Sequence, residues 1–415
     1  MPRGLGDIAD LRLEVLQNFV TTFQAPPSLI LMNLFPATVS PSSSVKWESQ
    51  KGGRGMTPFV PPGAPAPVTS PFGVAVHTAE AAYWKEKMYF DEEFLNNLRK
   101  EGTTSEYLSA QARLARELAG LVNRSNRRKE WMFANMLFAG SFTYSERTGT
   151  KITVDYGLPS AHLVTLGAAY KWSTGTSRDI IGDIISGKKL VSDDCGGRAD
   201  FALCNSTVLK YLARDPELLT LLSKSAFGTG DLFSGTKNSI VGVNPRVLGA
   251  LLDIDNLVVY DEQYEVRAYL TAVVTGASTT TISVDNPADF VAGETLRFND
   301  VSAGTFEDET IASVAVESGT VTVSSAPTAS FKAGEDYVSQ TSSFVPDTKF
   351  VMFASKVDNQ KIAEYKKAPY GLNRNFGITT DRHDEWDPEG VWIRVQDKGL
   401  PILYQRDAMY VLTVA

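Results

Sequence analysis

Apolar residues recur at helical spacing over one long stretch of this chain and at alternate positions over several short ones. From Thr103 to about Ala139 there is no proline, and Leu108, Leu114, Leu118, Leu121 and Val122 keep one stripe apolar. Trp131, Met132, Met136 and Leu137 resume the stripe after a basic break at Arg124, Arg127, Arg128 and Lys129. Thr103-Thr104-Ser105-Glu106 sets a hydroxyl and a carboxylate at the spacing that satisfies free N–H groups of a first turn, and Gly140 supplies a stop. The pattern predicts one helix of unusual length. Shorter helices are expected at Asp179–Leu190, Ser206–Leu222 and Pro245–Leu252. Leu5, Ile8, Leu11, Leu13, Val15, Leu16 and Phe19 read as a short amphipathic N-terminal helix that docks on some other surface.

Strand patterns surround these helices. Ala199–Cys204, Leu257–Tyr260 and Phe350–Phe353 read as buried strands, Val391, Ile393 and Val395 alternate, and Tyr410–Val414 forms a last one. The class is therefore α+β. Val45-Lys46-Trp47-Glu48 also alternates. Gly52, Gly53 and Gly55 then offer a reversal, and Met56–Val60 is expected to run back. Pro58, Pro61, Pro62, Pro65, Pro67 and Pro71 follow, which fixes φ and removes donors, so an extended arm or sheet edge fits and a sheet interior does not. Such an arm has little of its own to fold around and needs a neighbour.

Charge is unevenly spread. Ten acidic residues against Arg297 and Lys332 between Ala268 and Ser343 account for the whole formal charge of -8, leaving the remainder near neutral. This segment is rich in Thr, Val, Ser and Gly and carries a weak repeat. Thr281-Ile282-Ser283-Val284 with Phe290-Val291-Ala292-Gly293-Glu294 returns as Thr320-Val321-Thr322-Val323 with Phe331-Lys332-Ala333-Gly334-Glu335. A small, acidic β-barrel or sandwich is expected there. The strand-like segments on either side read as one domain interrupted by it.

Chemistry-bearing constellations are sparse. Gly230–Lys237 has the glycine spacing of a phosphate loop, but Thr236 stands where the lysine belongs. His77, His162 and His383 have no second His or Cys at ligand spacing, so structural roles are expected. Asp381, His383, Asp384, Glu385 and Asp387 crowd together, but a turn before Trp386-Asp387-Pro388 accounts for them as well as a hard cation does. Cys195 and Cys204 are too few for a disulfide framework, which favours a reducing compartment, and Cys195 has acidic neighbours that oppose a thiolate. No apolar run is long enough to span a bilayer, and the first twenty residues lack the pattern of a signal peptide. A soluble protein with no catalytic residues, no metal and no cofactor is expected.

The order of these parts resembles the lambda-type major capsid proteins of tailed bacteriophages. The resemblance rests on Val45-Lys46-Trp47-Glu48-Ser49-Gln50-Lys51-Gly52-Gly53 with Thr57-Pro58 and the proline-rich return, followed by the long helix. It continues through Leu137-Phe138-Ala139-Gly140-Ser141-Phe142-Thr143, then Trp172 with Asp179–Ile184, and ends on Trp386-Asp387-Pro388, Val395-Gln396, Leu400–Leu403 and Asp407–Val414. It implies the Hong Kong 97 fold. The parts are then an N-terminal arm (1–40), an extended loop (41–80), a peripheral domain with a spine helix (81–170) and an axial domain (171–267 and 344–380). An inserted β-domain (268–343) and C-terminal strands (381–415) complete it.

The resemblance further implies a head subunit that assembles with itself into hexamers and pentamers around DNA, without sequence-specific binding and without a membrane. A scaffolding protein, a portal protein and a decoration protein are the implied partners, in a virion assembled in the host cytoplasm. Candidate inter-subunit contacts are Val45, Trp47, Lys51, Gly52, Gly53, Arg54, Pro58, Phe59, Arg124, Arg127 and Arg128. The four basic residues of the helix are otherwise a solvated face. Some relatives crosslink covalently; Lys46 and Lys51 lie in the loop where such a lysine would be, and no crosslinking is expected. The competing classes are a tail-tube or baseplate subunit, and a hydrolase or adhesin whose β-module stacks sugars on Tyr269, Phe290, Phe298, Phe306, Phe331 or Tyr337.

Overall fold

The computed structural model describes residues 11–415 except 24–25, 51–55, 64, 67, 69–73, 99–103, 146–150, 225–231, 233–242, 358 and 388. Leu5, Ile8, Thr103 and the loop Gly230–Lys237, Leu232 apart, therefore lie outside the described residues. The chain divides into two compact units. One comprises residues 1–138, 156–259 and 347–415, the other 139–155 and 260–346.

The first unit contains two five-stranded sheets. Gly390–Leu403, fourteen residues long, is the hub of one. It pairs antiparallel with Ala82–Asp91, with Thr379–Glu385 and with Ala363–Lys367, and Ala37–Val39 adds in parallel to the last of these. The long helix, Thr104–Ala139, ends at Gly140, whose φ of 66° is the left-handed stop that glycine adopts without a Cβ penalty. Its Leu114 and Leu118 join Leu11, Leu16, Phe90, Phe94, Leu95, Val391 and Ile393 in one core cluster. The N-terminal helix runs Leu13–Thr22 and packs here through Leu16 and Val20. It is thus docked on its own subunit. Arg382 Nη1 donates to Leu11 O at 2.9 Å, and Thr380 N donates to Gln17 Oε1 at 3.0 Å.

The second sheet of this unit orders Leu163–Thr165, Met409–Thr413, Lys349–Phe353, Phe201–Cys204 and Asn256–Val259. Asn256–Val259 and Lys349–Phe353 thus belong to one sheet with a single strand between them. Helix Ile180–Cys195 packs on this sheet and is capped by Asp179, which accepts from Gly182 N at 2.7 Å. Gly187 lies so close to the sheet that a Cβ there would meet the Tyr410 ring at 2.5 Å and Met352 Cε at 2.7 Å. The helix expected over Ser206–Leu222 is two helices, Ser206–Ala213 and Pro216–Lys224. Pro216 cannot continue the first, and Asp215 accepts from Glu217 N and Leu218 N to start the second.

In the second unit six strands run in the order Gln263–Tyr269, Tyr337–Ser343, Thr295–Asp300, Thr305–Ala315, Thr320–Val323 and Thr281–Ser283. A bridge from Leu270 to Val284 joins the two ends, so the sheet closes into a barrel. Ile282, Val284, Phe290, Leu296, Phe298, Val321, Val323, Phe331 and Val338 fill it. The repeat seen in the sequence has a structural meaning. Its two strands pair with each other, Ile282 opposite Val321. Its two phenylalanines plug the core, and Gly293 and Gly334 turn with φ of 90° and 76°. A separate hairpin, Ser141–Ser145 with Lys151–Asp155, falls in this unit as well.

Candidate assembly surfaces

Ser44–Gln50 pairs in register with Val74–Glu80, from Ser44 opposite Glu80 to Gln50 opposite Val74. The returning strand is therefore Val74–Glu80, and the expected one at Met56–Val60 is exposed, irregular chain without ladder partners among the described residues. Pro58, Pro61 and Pro62 explain the difference: each lacks the N–H a ladder requires. The alternation read in Val45–Glu48 does orient the strand. Val45 and Trp47 turn inward and are buried, with Trp47 stacked on His77 at 5.4 Å and tilted against Tyr156 at 6.1 Å. These two residues anchor the root of the loop within the chain. Pro58 is exposed, and Met56 and Phe59 project fully into solvent. Lys51, Gly52, Gly53 and Arg54 lie outside the described residues.

The basic stretch of the long helix separates into two groups. Arg124 pairs with Glu86, Arg127 is exposed, and the Arg128 guanidinium lies 5.4 Å from the centre of the Trp131 ring. Lys129, by contrast, is buried against Asp397 at 2.6 Å and is part of no outer face. Next to it the buried Glu130 carboxylate accepts from Leu31 N at 2.7 Å and Met32 N at 2.8 Å, satisfying the start of the one-turn helix Leu31–Leu34. The sequence sets four basic residues within six positions. Only the 3.6-residue period, applied to Lys129 and Glu130 against the apolar stripe, separates the inward ones.

His77, His162 and three of the clustered carboxylates have structural partners. His162 is buried with Nδ1 2.6 Å from Met409 O and Nε2 2.9 Å from Asp194 Oδ2. Cys195 Sγ donates to Val191 O at 3.0 Å, and Cys204 is likewise buried. The carboxylates around His383 point to separate partners. Asp381 accepts from Arg394 and Gln396, Asp384 from Arg382, and Glu385 from Trp392. Among the described residues no group of three or more such side chains converges on a metal position.

Two surface features escaped the sequence reading. Trp386, 88% exposed, sits at the tip between Thr379–Glu385 and Gly390–Leu403. A cleft of about 470 Å³ lies beside helix Ile180–Cys195, where Ile185 and Leu221 stay exposed next to Lys188 and Arg198. Its apolar lining continues the helix stripe past the positions the sheet covers, which is the signal a helical projection of Ile181, Ile184 and Ile185 contains.

An α+β subunit with a docked N-terminal segment, an extended loop and a long helix leading into a second sheet has the Hong Kong 97-type capsid fold. Residues 13–250, more than half of the chain, match the model of the family described as phage major capsid protein E, and the chain belongs to that family. Solved structures agree at the level of fold. A phage-related protein from Bordetella bronchiseptica RB50 aligns with a TM-score of 0.51 at 10% identity, over 97% of this chain and 97% of that one. A protein of an Escherichia coli CFT073 prophage described as its capsid protein aligns with a TM-score of 0.50 at 13% identity, over 97% and 98% of the two chains. A search of the curated proteins finds no match. The chain is a structural subunit of a phage capsid and hence a component of the virion.

Proposed function

We propose that this subunit forms hexamers and pentamers that close an icosahedral shell around double-stranded DNA, through contacts in which each subunit extends its loop over a neighbour. One observation carries the reading: Met56, Pro58 and Phe59 stand exposed on a loop whose root, Val45 and Trp47, is fastened inside the subunit. Apolar side chains exposed on an anchored loop cost free energy in the free subunit and recover it only against a second surface. Lys51, Gly52, Gly53 and Arg54 belong to the same loop, and Arg124, Arg127 and Arg128 offer a polar rim on the helix. A shell made of many such modest contacts is cohesive without any one of them being strong.

The division into N-terminal arm, extended loop, peripheral and axial domains follows the order of the parts. The barrel reads as an insertion, because the strands before and after it share one sheet. The near-neutral remainder of the chain suits a wall that confines DNA without gripping it. Scaffolding, portal and decoration proteins are its expected partners, and assembly takes place in the host cytoplasm. No catalytic step is assigned to it.

Electron microscopy of the purified protein tests the proposal. Closed particles or isolated hexamers and pentamers are expected; tubes would assign the subunit to a tail, and a monomer with a turnover activity to an enzyme. Deleting Gly52–Pro65 should leave a folded subunit that fails to close particles, and normal particles from that variant would remove the loop from the assembly contacts.

A further inference from the structure

The barrel has an outer face that its folding does not require. Four of its strands lie side by side, and residues directly opposite across antiparallel pairs share a face. Ala268, Val338, Phe298 and Leu296 face the core. Their neighbours along each strand point outward. Register aligns Tyr269, Tyr337, Asn299 and Phe306 in one outward row, and Arg267, Ser339, Arg297 and Asp308 in the row beside it.

Of the six aromatic residues in the segment, Phe290, Phe298 and Phe331 are buried in the barrel, while Tyr269 and Phe306 are 55% and 57% exposed and Tyr337 is half-buried. The outer three all fall in one row. Tyr269 meets Tyr337 edge-on, with ring centres 6.1 Å apart at 61°. The Arg267 guanidinium lies 5.1 Å from the centre of the Tyr337 ring, and that of Arg297 lies 4.1 Å from the Phe306 ring. Each guanidinium is itself held by a carboxylate. Arg267 donates to Glu265 at 2.7 Å, and Arg297 donates twice to Asp308 at 2.8 Å. Rings and polar forks are thus fixed on a sheet before any ligand arrives, so little ordering remains to oppose binding.

The charge and polarity of the face select the ligand. Both cations are already paired, and residues Gln263–Ser343 carry eleven acidic residues against three basic ones, which repels nucleic acids and anionic lipid surfaces. Asn299 separates Phe306 from the Tyr269–Tyr337 pair and charged side chains flank the row, so the face lacks the continuous apolar patch that a protein partner buries at its centre. A sugar ring has what fits: a C–H face that stacks on an aromatic ring, and neighbouring hydroxyls that match a planar fork of donors and acceptors. Three strand spacings separate Tyr269 from Phe306, about 14 Å, which is a length for a short oligosaccharide rather than one ring. We infer that this face binds neutral oligosaccharide, with Tyr269, Tyr337 and Phe306 as stacking platforms and Arg297–Asp308 and Arg267–Glu265 as hydrogen-bonding forks.

The inference concerns the barrel alone and does not depend on how subunits assemble. Native affinity electrophoresis of the full chain tests it, in gels containing soluble glucan, mannan, galactan or glycol chitin, with heparin as an anionic control. Retardation by at least one neutral polymer is expected, reduced at least tenfold in affinity by Tyr269→Ala and by Phe306→Ala, with thermal unfolding and particle yield unchanged. No retardation in any neutral gel would overturn the inference, as would retardation that both variants retain. Retardation by heparin alone would assign the face to anions. Loss of particles in the two variants would assign it to contacts between subunits, and a protein ligand that free sugar does not displace would assign it to a protein; each result overturns the sugar site.

Discussion

Lys129 on the long helix and Asp397 on the strand Gly390–Leu403 form an ion pair of 2.6 Å with side-chain exposures of 10% and 0%. The lysine also lies 5.7 Å from the centre of the Tyr365 ring, so its charge is met on two sides. The pair fastens the helix to the sheet hub at one register. A charge left alone in such a place is worse than no charge at all.

Lys129→Met should therefore destabilise the subunit by about 3–5 kcal/mol, because Asp397 stays buried without its cation. The double variant Lys129→Met with Asp397→Leu should recover much of that loss. Denaturant titration of the three proteins checks the ordering, and equal losses in the single and double variants would contradict it.

Glu364 governs an acid limit. Burial pushes its carboxyl up, but hydrogen bonds from Lys361, Lys366 and Tyr404 outweigh burial and hold it down to about 2, against an ordinary 4.5. Since the folded value lies below the unfolded one, its stabilisation is complete above pH 4.5 and disappears as pH falls from there to about 2. Glu364→Gln should lower stability at neutral pH and flatten its dependence across that acid window, as read by unfolding midpoints at successive pH values.

Gly187 sets the distance between helix Ile180–Cys195 and its sheet. Gly187→Ala adds helix propensity of about 1 kcal/mol. The added methyl, however, meets the buried Tyr410 ring and Met352. A net loss of about 1–3 kcal/mol is expected from overpacking. A thermal midpoint above that of the parent protein would show that the sheet yields instead.

Phe59 separates folding from assembly. Phe59→Asp touches nothing within the described subunit, so its unfolding free energy should stay within about 0.5 kcal/mol of the parent. Particle yield should drop sharply, since a carboxylate replaces an exposed apolar ring of the loop. Sedimentation of matched preparations measures the second quantity, and calorimetry the first.

How much of this was legible in the sequence depends on the range of the interaction that decides it. The long helix was, because Leu114, Leu118, Leu121 and Val122 and the Gly140 stop are local signals. The barrel was too, as Gly293 and Gly334 recur with Phe290 and Phe331 at matching offsets. The partner of Ser44–Gln50 was not. Val74–Glu80 lies more than twenty residues away across a proline-rich stretch, and nothing local names it. Lys129 read as one of four surface charges because its partner, Asp397, is 268 positions further along the chain. The outward row of Tyr269, Tyr337 and Phe306 was present as aromatic content, but only strand register distinguishes it from the core phenylalanines.

The strand Gly390–Leu403 ties together three others whose residues lie on both sides of the chain's middle, and Met409–Thr413 occupies an inner position of the second sheet. During synthesis neither sheet is complete until these late residues leave the ribosome. A nascent chain stopped before residue 390 has its long helix and its loop, but not the strand on which the helix is mounted. Slow, non-local pairing of this kind delays completion of both sheets until residues 390–413 are made. A chain stopped before residue 390 therefore lacks the strand that joins Ala82–Asp91, Ala363–Lys367 and Thr379–Glu385 into one sheet, and with it the surface on which the long helix is mounted.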